Sequence, residues 1–272
     1  MLNSLVIKKT YTTLEDNTSL TSNIESGQIT SSDKSYEDDN IKITINTYRE
    51  YDTDIYVADV TVNNPLLLKT ALANNSYGRN ITDSTSNIAD SVNAILAING
   101  DYYGVQEYGY VFRNGTIYRD TSKNNQEDLV IYEDGTFEII NEGETSIETL
   151  KQNGAYNILS FGPALLIDNN ISVDENDEVG KAMASNPRTA IGIIDNNHYI
   201  FVVSDGRTDE SAGLSLYQLA TFMKSLNCDI AYNLDGGGSS TMVFNGNVIN
   251  NPTNTGRHSS ERKVSDIVYI GY

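Results

Sequence analysis

Tight two-residue turns set between alternating apolar strands constrain this chain more than any other feature. "YVFRNGTIYRD" from Tyr110 turns on Asn114-Gly115, "LVIYEDGTFEII" from Leu129 on Asp134-Gly135, and "TMVFNGNVI" from Thr241 on Asn245-Gly246. Asn-Gly and Asp-Gly reach the positive φ angles of a short hairpin with little strain, so each marks antiparallel neighbours. "RTAIGIIDNNHYIFVVSDG" from Arg188 reads as a further hairpin. "IKITINTY" from Ile41 and "IYVADVTV" from Ile55 alternate with period two, as half-buried strands do. Helical periodicity is sparse. Its clearest instance starts at Ser215, where Ser215 and Gln218 form a capping box and Leu216, Leu219, Ala220, Met223 and Leu226 share one face up to Asn227. A shorter helix is expected around Asn87 to Asn93, before the strand "AILAI". The expected fold is therefore α+β: one β-rich domain of several hairpins, with a few helices packed on the sheet. It spans 41–272 behind a polar N-terminal arm, 1–40, whose stretch from Thr12 is rich in Ser, Thr, Asn and Asp.

Charge narrows the function. The 272 residues hold 37 Asp and Glu against 18 Lys and Arg, a formal net charge of −19. Nucleic acid and anionic lipid surfaces attract the opposite sign, so neither is an expected partner. No apolar run reaches bilayer length, and membrane insertion is not expected. An anionic substrate would need local arginines to overcome the overall field. A lone cysteine, Cys228, excludes an internal disulfide and, among apolar neighbours, reads as a buried thiol. Two histidines, His198 and His258, are too few for a multi-histidine metal centre, and His198 alternates with Ile200 as a structural strand residue does.

Familiar catalytic patterns are absent. Ser239 stands where a phosphate loop needs Lys, and Thr241 where a nucleophile elbow needs its second Gly. "DENDEVGKAMAS" from Asp174 mimics a calcium loop but has Val179 and Ser185 at the required Gly and Glu. What recurs instead is a buried strand that ends beside an acid and a glycine. "AILAINGDYY" brings Asn99, Gly100 and Asp101; "YIFVVSDGR" brings Asp205, Gly206 and Arg207; "IAYNLDGGGSS" brings Asp235, Gly236, Gly237 and Gly238. Strand ends on one sheet edge are where loops converge on a site. Asp134-Gly135 reads as an ordinary hairpin turn with no buried strand leading into it. Three consecutive glycines indicate backbone that something approaches closely.

"NPRTAIG" (Asn186 to Gly192), "VVSDGR" (Val202 to Arg207), "NLDGGGSSTM" (Asn233 to Met242) and "SSERKV" (Ser259 to Val264) resemble the phosphodiester glycosidase family, with "AINGDYY" matching its earlier Asn-Gly segment. The resemblance runs from about Ile41 to the C-terminus in family order. It implies hydrolysis of a glycosyl-1-phosphodiester, in a sugar-phosphate-linked glycan or cell-surface polymer. The single cysteine resembles the bacterial or phage-borne branch, which implies an extracellular, cell-surface or phage-particle setting.

Breaking a sugar–phosphate bond builds positive charge on the ring and releases a weakly basic phosphate, so the task is mostly charge stabilisation. The candidate catalytic carboxylates are Asp101, Asp205, Asp235 and Glu261. Asn99, Arg188, Arg207, His258 and Arg262 are candidates for substrate and phosphate binding, the arginines because guanidinium forks fit phosphate oxygens. Gly236, Gly237, Gly238, Ser239 and Ser240 are expected to offer backbone amides as an anion cradle. Tyr102, Tyr103, Tyr108 and Tyr110 are candidates for a sugar-stacking wall. The sequence names no certain cofactor, and convergence of Asp101, Asp205 and Asp235 would favour a divalent cation in place of arginine alone. Two competing functions stay open: a non-catalytic carbohydrate-binding module of a cell envelope or phage tail, and a structural β-protein.

Overall fold

A computed structural model describes residues 28–176 and 185–272. Most of the expected arm, 1–27, and most of the calcium-loop-like stretch, 177–184, lie outside the described residues.

Among the described residues three antiparallel sheets carry the fold. The large sheet has nine strands in the order Thr30–Ser31, Ser35–Glu37, Ile41–Glu50, Thr53–Val62, His198–Ser204, Arg188–Asp195, Ile230–Leu234, Ala164–Ile167 and Asn170–Ile171. The first two lie inside the stretch read as an arm, so the sheet edge begins earlier than residue 41. Tyr36 anchors that edge: its ring is buried and its hydroxyl donates to Asp38 Oδ2 at 2.7 Å. A five-stranded hairpin sheet has the order Phe137–Asn141, Glu127–Tyr132, Ala155–Leu159, Val111–Arg113 and Thr116–Arg119. The third sheet, also of five strands, runs Asn247–Val248, Met242–Phe244, Leu96–Asn99, Asp266–Ile270 and Leu68–Leu72.

The turn chemistry explains these pairings. Asn114 and Gly115 sit at φ 47° and 79°, and Asn245 and Gly246 at 49° and 78°, as a two-residue hairpin requires. At the Asp134-Gly135 turn only Gly135 is positive, at 86°. That turn does follow a buried strand, Glu127–Tyr132, contrary to the sequence expectation.

The sheets enclose the main core. Ile43, Val60, Ile191, Phe201 and Leu234 of the large sheet meet Leu68, Ile98 and Val268 of the third sheet and Leu129, Ile131 and Leu159 of the hairpin sheet. Each such burial contributes about 1.5–3 kcal/mol. Period two sends Ala58, Val60 and Val62 into this core and Ile55 and Val57 to the opposite face. That opposite face is covered by a helix, Leu216–Ser225, with Leu216, Leu219, Ala220, Phe222 and Met223 inward. Its capping box is formed: Gln218 N donates to Ser215 Oγ at 3.1 Å and Ser215 N to Gln218 Oε1 at 2.9 Å.

Helix Thr85–Ser91 covers the third sheet. It starts and stops two residues before the expected span because Ser84 Oγ accepts from Asn87 N at 3.2 Å and caps it. A further helix, Ile147–Gln152, packs Ile147 and Leu150 on the hairpin sheet; it is too short to show periodicity in sequence. His198 Nε2 lies 2.9 Å from Asp59 Oδ1, and burial pushes the Cys228 thiol up to about 12. Among the described residues no helix is long and apolar enough to cross a membrane.

Register positions the site. Arg188 pairs with Ser204 and Thr189 with Leu234, so Arg188, Asp205 and Asp235 leave the large sheet at the same end. Asn99 closes the third sheet at that end, opposite Ile267.

Candidate active site

Asn99 joins the two sheets beneath the site. It is fully buried; its Nδ2 donates to Asp235 O at 2.6 Å, and its Oδ1 accepts from Thr189 Oγ1 at 2.8 Å and Thr241 N at 3.3 Å. A buried amide with every group engaged fixes the backbone on which Asp235 stands. Asn99 thus positions Asp235 from below.

Asp235 faces a cavity of about 520 Å³. Arg188, Arg207, Arg262, Asn186, Gly236 and Gly237 line it beside Asp235, and Arg119, Lys123, Gln106, Gln126, Ser160, Phe161, Tyr102 and Tyr108 line the rest. Among the described residues five of the chain's 18 basic residues are there with one of its 37 acids, which inverts the sign of the molecule locally. Such a cavity focuses the field on an anion despite the overall charge.

Around Asp235 the hydrogen bonds are dense. Arg262 Nη2 lies 3.1 Å from Asp235 Oδ1 and 3.0 Å from Oδ2, and Ser239 Oγ donates to Oδ2 at 2.5 Å. Arg262 also donates through Nε to Ser239 Oγ at 2.9 Å and through Nη2 to Gly236 O at 2.9 Å. Burial raises the Asp235 carboxyl above its ordinary value, against the pull of Arg262 and Ser239. Arg207 is held through Asn186 Oδ1, at 3.0 Å from Nε and 2.9 Å from Nη2, and through Asn254 O, at 2.9 Å from Nη1. Burial, then the neighbouring charge of Arg262, lowers its guanidinium. Two guanidiniums kept this close favour a negative group between them. Arg188 Nε donates to Leu214 O at 2.8 Å.

Part of the expected amide cradle is already committed within the protein. Gly237 N, Ser239 N and Ser240 N already donate to Pro187 O, Gly236 O and Gly237 O, at 2.8, 3.3 and 3.2 Å. A Cβ on Gly236 would stand 2.8 Å from Pro187 O, and one on Gly237 2.9 Å from Arg207 Nη2. On Gly238 it would overlap Asn254 Oδ1. Gly237 also holds φ at 62°, where other residues are strained. The bare backbone therefore makes room for guanidinium and loop. Ser239 and Ser240 are fully buried, Ser239 as the link between Arg262 and Asp235.

The other proposed acids stand elsewhere. Asp101 is buried, accepting from Arg113 Nη2 at 2.6 Å, Tyr103 N at 2.9 Å and Ser160 N at 3.0 Å. Asp205 accepts from Asn251 N at 2.8 Å and Asn250 Nδ2 at 3.2 Å, and burial raises its carboxyl. Glu261 accepts from Ser86 N at 3.0 Å and Ser86 Oγ at 2.5 Å, at the N-terminus of helix Thr85–Ser91. His258 is exposed on the loop before the last strand, its carbonyl accepting from Thr253 Oγ1 at 3.0 Å. The three strand-end aspartates do not converge on a cation site, because each carboxylate has its own partners. Among the described residues no group of three His, Cys, Asp or Glu could hold a metal ion. Of the four tyrosines, Tyr102 and Tyr108 are exposed at the cavity, 41% and 56%, whereas Tyr103 and Tyr110 are buried.

Sequence reasoning missed the hairpin-sheet side of the cavity. Glu142 organises it, accepting from Lys123 N at 2.5 Å, Tyr110 N at 2.7 Å and Ser160 Oγ at 2.8 Å. Behind it, burial and then Glu142 itself raise the Asp128 carboxyl well above its ordinary value. No motif marked these residues; "INEGET" reads as a plain turn.

Comparison with known proteins converges on one family. The sequence profile of the phosphodiester glycosidases matches residues 92–271, more than half the chain. The SPbeta prophage-derived uncharacterized protein YomE of Bacillus subtilis (strain 168) is 27% identical over 201 residues, 72% of this chain and 31% of that protein. Mouse N-acetylglucosamine-1-phosphodiester alpha-N-acetylglucosaminidase is 34% identical over 107 residues, 37% of this chain and 20% of that enzyme. The chain thus spans under a third of the length of these relatives. In structure, the catalytic domain of the zebrafish N-acetylglucosamine-1-phosphodiester alpha-N-acetylglucosaminidase, auto-inhibited by its pro-peptide, superposes with a TM-score of 0.67 at 22% identity, covering 85% of this chain and 83% of that one. The fold is shared, the profile covers both the Asn99 and the Asp235 corners, and the chain belongs to the phosphodiester glycosidase family.

Proposed function

We propose that this protein hydrolyses a glycosyl-1-phosphodiester, with the reaction centred on Asp235. The observation that carries the reading is a single carboxylate set among Arg188, Arg207 and Arg262 in a cavity that reverses the charge of the whole chain. The phosphate docks on the guanidiniums, whose charge stabilises it as it leaves. The bond from the anomeric carbon to the phosphate oxygen breaks, and its electron pair departs with the phosphate monoester. Water attacks the anomeric carbon, and Asp235 takes its proton; burial makes that carboxylate a stronger base than an ordinary aspartate. Ordinary glycosidases need a second carboxyl to protonate the leaving oxygen. A phosphate leaving group does not, which agrees with one carboxylate in the cavity. Tyr102 and Tyr108 offer ring faces to the sugar. The substrate in this reading is a sugar-phosphate-linked glycan or cell-surface polymer, and the prophage-derived relative is compatible with an extracellular or phage-borne setting.

The test is incubation of the purified protein with a synthetic sugar-1-phosphodiester in isotopically labelled water. The expected result is turnover with label in the sugar. Label in the phosphate would overturn the C–O mechanism. Sugar binding without turnover would favour the carbohydrate-binding module instead.

A further inference from the structure

The two walls of the cavity are cationic independently. One carries Arg188, Arg207 and Arg262 around Asp235. The other carries Arg119, which closes the hairpin-sheet strand Thr116–Arg119, and Lys123 on the loop that follows. Dipoles hold the charged tips of this second pair, while the Glu142 carboxylate is taken up by Lys123 N, Tyr110 N and Ser160 Oγ. Arg119 Nε donates to Gly109 O at 2.6 Å, and its Nη1 to Gln106 O at 2.7 Å and Tyr103 O at 3.3 Å. Lys123 Nζ donates to Gln126 Oε1 at 2.9 Å. Among the described residues neither forms a salt bridge, in a chain where acids outnumber bases 37 to 18. Carbonyls orient a cation without neutralising it, so a pair of such cations on a cavity wall attracts an anion. One phosphate on the first wall leaves this second wall unmatched. The cavity, at about 520 Å³, falls in the range of roughly 300–1,000 Å³ that takes a ligand larger than one phosphate group.

We infer that Arg119 and Lys123 form a second anion site that holds a neighbouring phosphodiester of the same substrate chain. The substrate class is then a polymer of repeated sugar or polyol phosphodiesters, not an isolated sugar phosphodiester. The inference rests on the hydrolase reading only for the identity of the first site; the binding it describes does not require turnover. A phosphate released at Asp235 remains attached to the rest of the chain, and the second wall holds the next repeat in place. Multivalent contact of this kind strengthens binding beyond the count of repeats.

Calorimetric titration with oligo(glycerol phosphate) and with monomeric glycerol phosphate tests it. An oligomer of about five repeats should bind at least about twentyfold tighter than the monomer, beyond the roughly fivefold set by repeat number alone. Lys123→Glu, at an exposed position, should bring that ratio back towards the repeat number; Arg119→Gln, whose loop contacts change as well, should do the same. A wild-type ratio at the repeat number, a ratio unaffected by Lys123→Glu, or no binding of the oligomer would each overturn the second site. Turnover of a single synthetic sugar phosphodiester reports separately on the reaction. A Lys123-dependent preference without that turnover removes the hydrolase reading and keeps the site; turnover without the preference does the reverse.

Discussion

Two corners of this molecule are built from the same parts and serve opposite ends. At one, Arg113 lies between Asp101 and Asp266, with Nη2 2.6 Å from Asp101 Oδ2 and Nε 2.8 Å from Asp266 Oδ2; the Arg113 side chain is 2% exposed and the two carboxylates 0%. At the other, Arg262 meets Asp235 at 3.0 Å with side chains 42% and 11% exposed. Both follow a strand that ends beside glycine. In the first corner every oxygen and nitrogen is turned into the protein, where burial pushes Asp266 up against the pull of Arg113. In the second, the same ion pair keeps one side open to a cavity with further guanidiniums. An acid–arginine pair becomes chemically useful when one side of it stays open to a cavity.

The contrast can be broken most severely at Arg113. Arg113→Ala leaves two buried carboxylates uncompensated and should destabilise the fold by about 3–5 kcal/mol. Arg262→Ala removes a half-exposed partner and should destabilise by about 1 kcal/mol or less, while lowering turnover about a hundredfold through lost charge stabilisation. Urea denaturation and steady-state kinetics on both variants check the difference. Glu261 provides a smaller test, since it sits beside Arg262 in sequence yet binds a helix end. Glu261→Ala should cost about 1 kcal/mol of stability as a lost cap, with turnover per folded molecule retained.

The smallest effect is on pH. The folded-state carboxyl of Asp235 is raised by burial, so it takes up its proton at higher pH than a free aspartate. In the proposed reaction Asp235 acts ionised, so the rate should fall on the acid side at a pH above the ordinary aspartate range. Arg262→Gln removes an influence that lowers that carboxyl, and should move the acid limb further up. A pH–rate profile of both proteins reads this directly.

Much of the architecture was legible because hairpin turns and period-two strands are local signals. Asn114-Gly115 and Asn245-Gly246 name their own backbone angles, and Ser215 with Gln218 names a helix start. Helix Ile147–Gln152 is too short to carry a period, and the edge strand at Ser35–Glu37 depends on Tyr36 finding a distant core. For the site, the recurrence of acid and glycine at strand ends pointed to converging strand ends, two on the large sheet and one on the third. Which acid would face the cavity was not legible, because their partners lie far along the chain: Ser86 for Glu261, Ser160 for Asp101, Asn251 for Asp205. The glycine triplet announced a close approach without saying that the Arg207 guanidinium and the Asn254 loop make it.

The most direct measurement makes the same substitution at both corners. Asp235→Asn should lose turnover of a sugar-1-phosphodiester by about a thousandfold or more, with its thermal midpoint within a few degrees of wild type. Asp101→Asn should lower stability by about 3–5 kcal/mol and keep turnover per folded molecule. Wild-type turnover in Asp235→Asn, or a stable and inactive Asp101→Asn, would contradict the assignment of chemistry to the Asp235 corner.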